Sequence, residues 1–152
     1  SGDRNIKKLG ELYGKVPEIW KRMADKDGNV NSNYGWQWKR NFQLNQVIKM
    51  LIHEPRTRQA TISIYDGKEI GDYDYDTPCT YAIQFTIQAQ HLNMCVTMRS
   101  NDLWYGFCND QYCFSKLQEL VATKTGLLIG SYYHFAHNLH LYDNIIEKIN
   151  DR

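Results

Sequence analysis

The chain has 152 residues, 42% hydrophobic and 23% charged, which suits one packed domain rather than several domains or a disordered chain. Lys and Arg number 18 against 17 Asp and Glu, and a net charge of +1 gives no general electrostatic footprint for nucleic acid or an anionic membrane. No apolar run approaches the roughly 20 residues of a membrane-spanning helix, and the polar start Ser1–Lys8 is read as carrying no signal peptide.

The predicted elements run as follows. Pro17 opens a helix, with Ile19, Trp20 and Met23 at helical spacing, that ends near Asp25 before the turn residues Asp27-Gly28-Asn29. A second helix is expected over Gln43–His53, with Leu44, Val47, Ile48, Leu51 and Ile52 on one face and Glu54-Pro55 as its stop. Thr61–Tyr65 reads as a short strand, and the acidic stretch Asp66–Asp76 as a loop. Tyr81, Ile83, Phe85 and Ile87 alternate as in a half-buried strand. Leu92, Met94, Val96 and Met98 do the same after a short turn, so a hairpin is expected. A helix over about Asp110–Lys124 places Phe114, Leu117, Leu120 and Val121 on one face and ends at Gly126. A strand over about Leu128–His137 and a helix from about Asp143 complete an α+β order.

The cysteines Cys79, Cys95, Cys108 and Cys113 form no C-x-x-C pair and are read as reduced thiols of a cytoplasmic protein. Cys108, Cys113 and the series His134, His137, His140 lack a spacing that suits one strand or helix face, so no metal site is expected. Eleven Tyr point to a pocket or interface that uses this amphipathic side chain.

Four segments concentrate chemistry-bearing residues: Val30–Trp36, Pro78-Cys79-Thr80, Met98–Asp102 with Gly106–Asp110, and His140-Leu141-Tyr142. Each has an ordinary reading as well. A lone Cys is commonly a small buried hydrophobe, and an Arg at a strand end commonly makes a surface ion pair. Asp110 is also well placed as a first-turn carboxylate of its helix.

Taken together and in this order, these segments resemble the thymidylate synthase superfamily, most closely its phage deoxycytidylate (dCMP) hydroxymethylase branch. The resemblance runs from about Gly2 to Asn144. It includes Ile19-Trp20, Tyr34-Gly35, Thr57-Arg58, Cys79, the run Arg99-Ser100-Asn101-Asp102 and His140-Leu141-Tyr142. It implies a mixed sheet with flanking helices, one such domain over residues 1–152, and transfer of a one-carbon unit from methylenetetrahydrofolate to C5 of a pyrimidine deoxynucleotide monophosphate.

On this resemblance Cys79 is the nucleophile that adds to C6 of the base, and Tyr34 belongs to a proton-transfer network. Arg99 and Ser100 bind the phosphate, and Arg99 supplies the positive charge that a thiolate requires. Arg58 is expected from the other subunit of a homodimer. Its usual second arginine is Gln59 here, which offers no permanent charge. His140 and Tyr142 hold the sugar hydroxyl. Ile19, Trp20, Asp102 and Gly106 face the folate, with Met23 where the synthases carry a second Trp. Asp110 stands where synthases place an Asn that reads uracil, and its carboxyl suits the amino group of cytosine. Thr80 replaces the His that follows the synthase nucleophile. Partner nucleic acids and membranes are not expected.

The family's upstream helix with a catalytic Glu and its C-terminal folate-closing segment have no counterpart here, so the chain is expected to be truncated at both ends. Two alternatives stand beside dCMP hydroxymethylation: synthase-like methylation of dUMP, and a catalytically inactive nucleotide-binding homologue.

Overall fold

A computed structural model describes residues 3–73 and 76–150. Ser1, Gly2 and Arg152 lie outside the described residues, as do two positions of the acidic loop. Two helices come first, α1 (Lys7–Tyr13) and α2 (Glu18–Met23). The periodicity gave no sign of α1, which buries no residue and ends at Gly14 in the left-handed region. Pro17 precedes α2 with φ −59°, as the helix start requires. Next are the single turn α3 (Tyr34–Gln37), capped by the Asn33 side chain, and α4 (Gln43–His53). α4 has the expected bounds and buries Leu44, Val47 and Leu51, but Ile52 falls at the rim of the apolar stripe and is exposed.

The main sheet contains β1 (Thr61–Ser63), β2 (Thr80–Gln88), β3 (His91–Met98) and β5 (Leu128–Ala136) in the order β1-β2-β3-β5. The first two pairings are antiparallel, and β5 lies parallel to β3. The crossover that a parallel pair demands holds β4 (Asn101–Asp102) and the long helix α5 (Phe107–Thr125). β4 pairs in parallel with β6 (Leu139–His140), and α6 (Asp143–Asn150) follows. The architecture is the expected α+β arrangement of a mixed sheet with flanking helices.

One sheet face carries Ile62, Ile83, Phe85, Leu92, Met94, Val96 and Met98 into a core shared with α4 and with Phe114, Leu117 and Val121 of α5. These fully buried side chains each contribute about 1.5–3 kcal/mol. On the opposite face, Tyr133 and Phe135 of β5 stand exposed beside Cys95 and Thr97 of β3. Among the described residues no helix is long and apolar enough to cross a membrane.

Three departures from simple alternation matter. The β2–β3 register shifts between Thr80 and Ala82, so Thr80 turns inward and Tyr81 is exposed. α5 starts at Phe107, three residues before its expected start at Asp110, which places Asp110 in the first turn. Gln118 replaces Leu120 in the buried face of α5. Its Nε2 donates to the Leu92 carbonyl at 2.8 Å, beside the register shift that opens the β3–β5 ladder.

Candidate active site

Cys79 stands at the entry to β2. Its carbonyl accepts from the Arg99 backbone N–H at 2.7 Å, so the start of β2 and the end of β3 are tied together. The Arg99 guanidinium bends over the same segment. Nε donates to the Pro78 carbonyl at 3.1 Å and Nη2 to the Thr77 carbonyl at 2.9 Å, while Nη2 lies 3.7 Å from the Cys79 sulfur. Burial pushes the Cys79 thiol above its ordinary range. Arg99 opposes this, and Asp110 and Asp76 reinforce it. The positive charge is where the sequence placed it, but in this chain burial outweighs it.

Tyr34 packs on Phe114 with ring centroids 5.4 Å apart. Burial raises the Tyr34 hydroxyl first, and the fields of Cys79 and Asp110 add to it, while Thr80 opposes them. Tyr34, Cys79 and Asp110 are thus within electrostatic reach of one another across the end of the sheet.

Asp110 Oδ2 accepts from Asn101 Nδ2 at 2.6 Å. Burial pushes the Asp110 carboxyl up to about 6, and the Asn101 hydrogen bond only partly offsets that. Gly106, at the start of α5, leaves room for this bond. A Cβ there would lie 3.1 Å from Asn101 Nδ2 and 3.3 Å from Asp110 Oδ2. Buried Asn101 continues to His134, whose Nε2 lies 3.1 Å from Asn101 Oδ1. His134 Nδ1 lies 2.7 Å from the Tyr132 hydroxyl. In the sequence, Asn101 lies inside the Arg99–Asp102 run and His134 figures only in the series weighed for a metal, while Tyr132 is not singled out. The signal for Tyr132 and His134 was two polar rings at alternate positions of β5.

The Arg99-Ser100 run leads to a second group. Ser100 Oγ lies 3.5 Å from His140 Nδ1, and His140 Nδ1 donates to Asn138 Oδ1 at 3.0 Å. A neutral His140 then carries its lone pair on Nε2, available to accept from a hydroxyl. The Tyr142 ring stands edge-on to His140 at 5.1 Å.

Asp102 Oδ1 accepts from the backbone N–H groups of Trp104 and Tyr105, at 2.7 and 3.2 Å. Its Oδ2 is buried and lacks a partner among the described residues, an arrangement that fits a ligand ring carrying N–H donors. Ile19 is exposed and Trp20 half-buried on α2. Neither joins the hydrogen-bond network of Cys79 and Asp110 among the described residues.

Arg58 lies apart. It lines an open surface cavity with Met50, His53 and Arg56, and its carbonyl accepts from Gln84 Nε2 at 3.4 Å. Gln84 is five residues beyond Cys79 on β2, about 16 Å along the strand. Cys108 and Cys113 are exposed free thiols, and the described residues hold no cluster of three or more His, Cys, Asp or Glu suited to a metal ion.

Comparisons with known proteins identify the family and the fold. The profile of the family described as Thymidylate synthase matches residues 1–152. The deoxycytidylate 5-hydroxymethyltransferase of Enterobacteria phage T4 is 32% identical over 158 residues, covering 88% of this chain and 63% of that protein. The thymidylate synthase of Streptococcus mutans is 28% identical over 145 residues, covering 92% of this chain and 51% of that protein. Among solved structures, thermostable thymidylate synthase A from Bacillus subtilis superposes with a TM-score of 0.83 at 24% identity, over 99% of this chain and 56% of that one. The chain therefore spans less than two thirds of the length of each of these relatives. With the profile matched from end to end and the fold shared, this chain belongs to the thymidylate synthase family.

Proposed function

We propose that the protein performs dCMP hydroxymethylase-type transfer of a one-carbon unit to C5 of a pyrimidine deoxynucleotide monophosphate. The observation that carries this reading is Asp110, a carboxyl pushed up to about 6 at the base-reading position. Cytosine offers an amino donor at C4 and an acceptor at N3. A protonated carboxyl answers both, with its O–H to N3 and its other oxygen to the amino group.

The residues then divide the work. The Cys79 thiolate adds to C6 and breaks the aromatic system, so that electron density develops at C5. Arg99 stabilises the thiolate and, with Ser100, binds the phosphate. His140 Nε2 and Tyr142 hold the sugar hydroxyl. Tyr34, kept protonated, serves proton transfer beside the base. Asp102, Gly106, Ile19 and Trp20 would hold methylenetetrahydrofolate, which supplies the one-carbon unit when bound. Arg58, remote from Cys79 in its own chain, reaches the phosphate from the second protomer of a homodimer. The exposed Tyr133–Phe135 sheet face supports such a pairing.

Two other readings have their own support. The Streptococcus mutans relative is named a thymidylate synthase, which favours methylation of dUMP. The raised Cys79 thiol favours a nucleotide-binding homologue without turnover. One experiment separates the three: incubation with dCMP or dUMP and methylenetetrahydrofolate, with the product identified by mass. Hydroxymethyl-dCMP is expected. A methyl product from dUMP sinks the proposal, and nucleotide binding without turnover favours the inactive homologue. Cys79→Ser is expected to abolish turnover while dCMP still binds, and near-normal turnover would refute the nucleophile.

A further inference from the structure

We propose that Tyr132, His134 and Asn101 are positioning residues, a one-way hydrogen-bond chain that fixes the rotamer and the proton position of Asp110 and thereby sets the preference for cytosine over uracil. The inference rests on Asp110 reading the base and deepens that reading.

The direction of the chain follows from its end. A carboxylate only accepts, so the Asn101 amide must turn its Nδ2 toward Asp110 Oδ2, as found at 2.6 Å. Asn101 Oδ1 then faces His134 Nε2 at 3.1 Å, and that nitrogen must carry the ring proton. His134 Nδ1 is left with a lone pair and accepts from the Tyr132 hydroxyl at 2.7 Å. Every donor has one acceptor, and no link can reverse alone. The protonation states agree. Burial lowers His134 toward its neutral form, and burial with the nearby Asp110 charge holds the Tyr132 proton in place.

The rings are fixed from the sides. Phe107 stands edge-on to His134 at 5.5 Å, and Phe114 packs against Tyr132 at 6.5 Å. With Oδ2 committed as an acceptor, a proton on Asp110 resides on Oδ1. The carboxyl thus presents a single donor–acceptor order. That order matches cytosine and sets an acceptor against O4 of uracil. Without the His134 donor, the Asn101 amide is free to turn over. The Asp110 proton is then no longer confined to Oδ1.

The test is equilibrium binding of dCMP and of dUMP, measured by calorimetry on the parent protein and on Asp110→Asn, His134→Leu, His134→Gln and Tyr132→Phe. His134→Leu is expected to narrow the dCMP-to-dUMP preference by about three- to tenfold, the worth of one hydrogen bond. His134→Gln returns an N–H near the Nε2 position and is expected to restore the preference. Tyr132→Phe keeps the ring and is expected to shift the ratio the same way, by less than about threefold. If His134→Leu does not fold, as judged by its thermal transition, Tyr132→Phe and His134→Gln decide. Equal weakening of both nucleotides in the His134 and Tyr132 variants shows a merely structural role and overturns the inference. If Asp110→Asn shifts the ratio while these variants do not, the chain fails and base reading stands. If Asp110→Asn leaves the ratio unchanged, or the parent binds neither nucleotide, base reading fails and the chain with it.

Discussion

Arg99 Nη2 lies 3.7 Å from the sulfur of Cys79 while the same guanidinium donates to the carbonyls of Pro78 and Thr77. The arginine is therefore braced against the loop that carries Cys79, and its charge is held at the sulfur rather than free to swing away. Burial still leaves the thiol above its ordinary range. Alkylation of Cys79 by iodoacetamide, followed by peptide mass spectrometry, should show a pH midpoint above that of free cysteine. Arg99→Met should move the Cys79 midpoint higher still, because the one stabilising charge is gone. An unchanged midpoint in the variant would show that Arg99 does not act on the thiol.

If Asp110 reads the base as proposed, it couples base binding to pH. Above pH 6 the free carboxyl is ionised, yet the cytosine face requires one proton shared between Asp110 and N3. At pH 7.5, dCMP binding should take up close to one proton. Titrations in buffers of different ionisation enthalpy measure this directly, and zero uptake excludes the shared proton.

The same carboxyl affects stability. The folded pKa, about 6, lies above the ordinary carboxylate range. Below pH ~4 both folded and unfolded chains hold the proton. As pH rises toward 6 the unfolded chain releases it first, so stability falls. Asp110→Asn removes that loss. Denaturant unfolding should show a gain on the order of 2 kcal/mol above pH 7 and none below pH ~4, with partial solvent screening reducing the figure. Equal midpoints for both proteins at pH 8 would contradict the raised pKa.

The Arg58 carbonyl accepts a hydrogen bond from Gln84, a residue about 16 Å along the strand from Cys79, yet Arg58 and Cys79 act together if two protomers share each site. Cys79→Ser and Arg58→Gln should each be inactive alone. When they are mixed under dissociating conditions and reassociated, about a quarter of all sites combine an intact Cys79 with an intact partner arginine, because a two-fold dimer places both defects in the other site. Recovery of product on mixing checks this. A mixture as inactive as its components places Arg58 outside the site.

The β2–β3 hairpin turns on Ala89 and Gln90, both in the left-handed region with φ 47° and 66°. This is the geometry of a two-residue primed turn, which favours Asn and Gly. Gln90→Gly should raise stability by roughly 1 kcal/mol in a thermal or denaturant transition. A loss of similar size would show that Gln90 makes contacts that outweigh its backbone strain.

Hydrophobic period carried much of the architecture in this chain. Leu44, Val47 and Leu51 at helical spacing, and Leu92, Met94, Val96 and Met98 at strand spacing, defined α4 and β3 because burial of one face is a property of consecutive residues. The ordered motifs around Cys79, Arg99, Asp110 and His140 likewise stood in the linear text. Tertiary structure alone decided what those residues experience. The parallel seating of β5 on β3 brings His134 to Asn101, residues 33 positions apart, and through Asn101 to Asp110. The bulge that buries Thr80 and exposes Tyr81, and the splayed ladder that draws in Gln118, are also set by pairing between distant strands. Local spacing specifies which face a side chain occupies. Burial, field and hydrogen-bond direction depend on neighbours that only the folded chain supplies, and they determine the protonation of Cys79 and Asp110.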